Sequence, residues 1–102
     1  MNNERMPNIH PGEILQLEFL EPLNITSYRL SKDIGVAQTR IDDILSGNLS
    51  ITADTALRLS RYFGNSAQFW LNLQTQYDIR QALEENSEVY NQIPKLPFDD
   101  VA

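Results

Sequence analysis

Cysteine is absent from the 102 residues, which excludes disulfides and thiolate chemistry and suits a reducing compartment. Histidine occurs once, at His10, so neither a His-based triad nor a histidine metal cluster can form. No glycine-rich phosphate loop is present. No apolar run is long enough to span a membrane, and the opening MNNERMPNIHPG lacks the apolar middle of a signal peptide. A cytoplasmic location is the expectation. Paired carboxylates occur at Glu84-Glu85 and Asp99-Asp100, but at a helix end and in a tail, where nothing would exclude water. These absences argue against an enzyme, and no cofactor or metal is expected.

What is there fits one small domain with a thin core, since 41% of the residues are hydrophobic. The net charge of −6 is unevenly placed. Residues 25–65 hold five basic side chains (Arg29, Lys32, Arg40, Arg58, Arg61) against four acidic ones (Asp33, Asp42, Asp43, Asp54). Residues 1–24 hold Arg5 against Glu4, Glu13, Glu18 and Glu21, and residues 66–102 are similarly acidic. The middle can therefore approach a polyanion, while acidic ends suit a basic protein partner or serve solubility alone.

The pattern is all-α, with five helices in a single domain over residues 10–85. Residues 1–9 read as a loose arm and 86–102 as a tail. His10-Pro11-Gly12-Glu13 starts a helix, with proline at the first helical position. Ile14, Leu15, Leu17, Phe19 and Leu20 follow, more apolar surface than one core contact needs. It serves ordinary burial in a compact bundle, the preferred reading, or a partner. Pro22 is expected to end the helix. Thr26 caps a second helix. Thr52 caps a fourth, with Ala56, Leu59, Ser60 and Phe63 inward and Gly64 as its stop. Asn65 or Ser66 caps a fifth from about Ala67 to Glu84. That helix has two apolar stripes: Phe69, Trp70, Leu73 and Tyr77 for the core, and Leu71, Thr75, Ile79 and Ala82 for a second copy of the chain. Pro94 and Pro97 forbid a regular helix in the tail, whose Ile93, Leu96 and Phe98 could dock on the body or on a partner.

Between the second and third helices lies the stretch that organises the rest. In TSYRLSKDIGVAQTRIDDILSG (residues 26–47), Leu30 and Ile34 make one apolar face ending at Gly35. Ile41, Ile44 and Leu45 make another ending at Gly47. Two short helices joined by a glycine-led turn form a helix-turn-helix, whose second helix enters the major groove of DNA. With its isoleucines inward, that helix turns Thr39, Asp43 and Ser46 outermost, flanked by Arg40 and Asp42, with Gln38 nearer the core. Gln38 can pair with adenine, Arg40 with guanine, and Thr39 with a base or a thymine methyl. Asp43 can accept from a cytosine amine or hold Arg40 one turn away, the second being preferred. Ser27, Arg29, Asn48 and Ser50 are placed for phosphates. Ala37, at the cap position, offers no side-chain oxygen, so a phosphate or water must meet the first amides.

HPGEIL (10–15), EFLEPL (18–23), YRLSKDIGVAQTRIDDILSG (28–47), ITADTALRLSRYFG (51–64) and SAQFWLNLQTQYDIR (66–80) together resemble the HigA-type antitoxins. These are a subfamily of the XRE group of helix-turn-helix proteins with the lambda-repressor-like fold. The resemblance implies a five-helix homodimer that represses its own toxin–antitoxin operon and neutralises a basic, RelE-like mRNA-cleaving toxin of HigB type. It places base contacts on Gln38, Thr39, Arg40 and Asp43, and it leaves the tail after Asn86 unmatched. The acidic first helix and the tail are candidate toxin surfaces. Two alternatives stand beside the antitoxin: a stand-alone XRE-type repressor without a toxin, and an interaction module that no longer binds DNA.

Overall fold

His10 opens the first helix with its own ring. Its Nδ1 accepts the Gly12 amide at 2.9 Å, and Pro11 follows at the first helical position. The computed structural model describes residues 7–97, and within them five helices form an all-α domain. Helix α1 comprises three contiguous stretches, Pro11–Ile14, a π-helical Leu15–Leu20, and Glu21–Leu23. The expected stop at Pro22 is displaced. The widened turn lets the Glu21 amide reach the Gln16 carbonyl, and Pro22 falls at the start of the fresh turn that follows, where its missing N–H costs little. The helix ends instead at Asn24, whose φ of 58° is left-handed.

Helices α2 (Ser27–Ile34), α3 (Gln38–Leu45), α4 (Ala53–Phe63) and α5 (Ala67–Asn91) follow. Thr26, Thr52 and Ser66 cap α2, α4 and α5 by accepting the amides of Arg29, Thr55 and Phe69. Asn65 has a different task, accepting the Trp70 indole N–H at 2.9 Å. Leu15, Leu20, Leu30, Ile34, Ile41, Ile44, Ile51, Ala56, Leu59 and Trp70 form the core, with Phe19, Phe63 and Phe69 clustered around the indole. Ala56, Leu59 and Ser60 are buried on the inner face of α4, as their spacing predicts.

One close approach sets the position of α3. Gly12 is buried where α1 meets the end of α3, and a methyl group at its α-carbon would overlap the Ile44 carbonyl. Only glycine fits there. On α5, Trp70 is fully buried and Leu73 and Tyr77 half-buried, but Phe69 is 39% exposed. The deepest polar side chain of that helix is Gln74, a residue outside both expected stripes. Its Oε1 accepts the Ile51 amide at 2.7 Å and its Nε2 donates to Asp78 at 2.9 Å, so its polar atoms are satisfied in the core.

Both ends of the domain differ from expectation. Helix α5 continues past Glu84 to Asn91, with one irregular residue, Asn86. Pro94 constrains only itself and its predecessor, so it leaves the preceding turns helical. Ile93 and Leu96 are exposed rather than docked on the body, while Phe98 lies outside the described residues. At the other end, residues 1–6 of the expected arm are likewise outside. Pro7 and Asn8 are held on α5: Asn8 Nδ2 donates to the Tyr77 carbonyl and to Gln81, and Arg80 donates to the Pro7 carbonyl.

Candidate nucleic-acid interface

The outer side of α3 is polar because its apolar residues are spent inward. Ile41 and Ile44 are fully buried, and Thr39, Asp42, Asp43 and Ser46 are exposed. Ala37 caps α3 in extended conformation without a side-chain hydrogen bond, as its chemistry requires. Gly35, at φ 76°, makes the turn that brings α3 across α2. Gln38 is exposed rather than near the core, because the turn holds it against α2, where its Nε2 donates to Ser27 Oγ at 3.3 Å. The first residues of the two helices thus meet on one surface.

Arg40 is engaged from the start of α4. Its Nη1 donates to Asp54 Oδ2 at 3.0 Å and to Thr55 Oγ1 at 3.4 Å. The preferred partner from sequence, Asp43, does not hold it; Asp43 is exposed, and its backbone carbonyl instead accepts the amides of Asn48 and Leu49. The same Asp54 oxygen also accepts from Arg58 Nε at 2.9 Å. Arg58 Nη1 in turn donates to the Ile34 carbonyl at 2.7 Å and the Gly35 carbonyl at 3.3 Å, closing the end of α2. Two side chains of α4 therefore brace both sides of the turn. Hydrogen bonds from Arg40, then from Arg58, hold the Asp54 carboxyl below the usual range.

Arg29 on α2 is exposed and pairs with Asp33 at 3.3 Å. Asp33 also accepts the Tyr62 hydroxyl at 2.6 Å, which pushes the phenol up from its ordinary value. Ser27 is half-buried, while Asn48 and Ser50 are exposed in the segment after α3. On α5, Thr75 and Ile79 are exposed; Ala82 is half-buried, and Leu71 is partly buried against the core. Sequence reasoning missed the brace. The Asp54/Arg58 spacing of four residues was visible as a helical ion pair, but nothing local joins Arg40 to Asp54. Among the described residues, no helix is long and apolar enough to cross a membrane.

Residues 17–70 match the helix-turn-helix family. Virulence-associated protein I of Dichelobacter nodosus is 48% identical over 89 residues, covering 87% of this chain and 82% of the relative. Antitoxin HigA-1 of Vibrio cholerae is 35% identical over 79 residues, covering 78% and 74%. Among solved structures, the Pseudomonas aeruginosa antitoxin HigA with the higBA promoter superposes with a TM-score of 0.84 at 41% identity, covering 88% of this chain and 99% of that one. The chain belongs to the helix-turn-helix proteins of XRE type, in the HigA-type antitoxin family. The resemblance drawn from the sequence segments is thereby confirmed.

Proposed function

We propose that the protein is a DNA-binding antitoxin that represses its own toxin–antitoxin operon as a homodimer and neutralises a basic, RelE-like toxin of HigB type. The observation that carries the DNA-binding part is the exposed polar side of α3, with Gln38 and Ser27 meeting at the helix starts and the isoleucines buried behind. Gln38, Thr39, Arg40 and Asp43 are assigned to base edges, and Ser27, Arg29, Asn48 and Ser50 to phosphates. Relatives support the same reading, since a solved HigA of this family is described with its promoter. For the toxin, α1 exposes Leu17 and Leu23 beside Glu18 and Glu21, apolar and acidic surface that suits a basic partner.

Binding to operator DNA by fluorescence anisotropy tests the assignment. Arg40→Ala is expected to lower operator affinity by about 1–3 kcal/mol and to relax preference at one base pair. Affinity should also fall steeply with salt, and a dimer should protect half-sites ~34 Å apart. Unchanged affinity and base preference in Arg40→Ala would remove Arg40 from the reading surface. A flat salt response would favour the interaction-module reading.

A further inference from the structure

Resting on the DNA-binding reading above, we infer that Asp54 is a specificity-determining positioning residue, which holds the Arg40 guanidinium in the orientation that reads a base. The geometry carries this. Asp54 and Thr55 engage only the Nη1 corner of Arg40. A guanidinium presents five N–H donors, and among the described residues nothing engages its Nε and Nη2 edge, a two-donor fork of the kind a guanine edge accepts. Asp54 is fixed by its own second partner, since Arg58 binds the same oxygen and is anchored to the Ile34 and Gly35 carbonyls. The brace therefore runs from the end of α2 through Arg58 and Asp54 to the side chain on α3. It ties the orientation of Arg40 to the body of the domain.

An arginine held in this way has less rotamer freedom to lose on meeting its base. The carboxylate also offsets charge that would otherwise favour any stretch of DNA. The first effect strengthens operator binding and the second weakens binding to every duplex, so together they raise discrimination. Asp54 lies in the first turn of α4, and Thr52 caps that helix, so the carboxylate is not needed to start it.

The test compares Asp54→Asn with the unaltered full-length chain on three duplexes: the operator, the operator with single base-pair changes, and an unrelated duplex of equal length. Asp54→Asn is expected to bind the unrelated duplex more tightly. Its ratio of operator to unrelated affinity should fall at least about fivefold, the low end of what one good base contact contributes. Asp54→Glu should recover part of that ratio. In an Arg40→Gln background, Asp54→Asn should leave the ratio unchanged, because its effect passes through Arg40. A ratio unchanged by Asp54→Asn alone would overturn the inference and leave only non-specific repulsion. An equal fall in the Arg40→Gln background would overturn it too, as would parallel losses on all duplexes with a lowered melting temperature. If the unaltered chain fails to prefer its operator at all, the DNA-binding reading itself falls.

Discussion

Single residues do structural work here that composition does not announce. His10 combines a cap, a buried ring and an edge contact with Tyr77, the ring centroids lying 4.9 Å apart. Because Nδ1 must accept the Gly12 amide, the folded state needs that nitrogen unprotonated. Burial lowers the His10 pKa from its ordinary 6.5, outweighing the opposite pull of the Asp78 and Glu13 charges. The unfolded chain therefore takes up the proton first as pH falls. Stability from this group is complete above 6.5 and is lost as pH falls through that value toward the folded one. Urea midpoints measured at pH 8 and pH 5.5 should show this decline. His10→Asn keeps a capping side chain but does not titrate, so it should be less stable at pH 8 and should lose less between the two pH values. An equal decline in the variant would assign the effect to other groups.

At the scale of elements, α5 is the one whose role is least settled by its own packing. It has 25 residues, about 37 Å at the helical rise, and it covers the core only along part of that length. Trp70 and Gln74 are its buried residues, whereas Ile79, Leu83, Val89 and Tyr90 stay exposed. A second copy of the chain would cover part of that surface. Ile79 is the cleaner probe of this, because Leu71 also packs against the core and its replacement would disturb the monomer. Ile79→Glu should sediment as a monomer while keeping the helical content of the parent. A variant of unchanged mass would take Ile79 out of the interface. Helix α4 has a different part, bracing the turn between α2 and α3 through Asp54 and Arg58.

For the whole molecule, the charge is divided between a mildly basic middle and two acidic ends, and the proposed DNA and toxin surfaces fall on opposite sides of that division. The mildly basic middle of the chain contains α2 and α3, and the acidic first segment contains α1 with Leu17 and Leu23 exposed. If a small basic reading frame neighbours this one, co-expression with its product should give a complex that survives size-exclusion chromatography. In the absence of such a complex, the stand-alone repressor becomes the better reading. Exchange of Leu17 for a charged residue should weaken the complex without altering operator affinity, because the side chain is 53% exposed and belongs to α1 rather than to the turn.

Much of this was written locally in the chain. Apolar spacing, the caps at Thr26 and Thr52 and a cap at Asn65 or Ser66 determined five helices, and Gly35 and Gly64 marked two of their ends, because each depends on residues within a turn or two. The exposure of Thr39 and Asp43 followed from the same periodicity. Three features were decided only when distant segments met. Gly12 admits α3 because a carbonyl from residue 44 arrives beside it. Gln74 is buried because the Ile51 amide needs an acceptor. Arg40 turns to Asp54, 14 residues on, rather than to Asp43 one turn away. Periodicity reports which way a side chain points, but not what the tertiary structure will set opposite it.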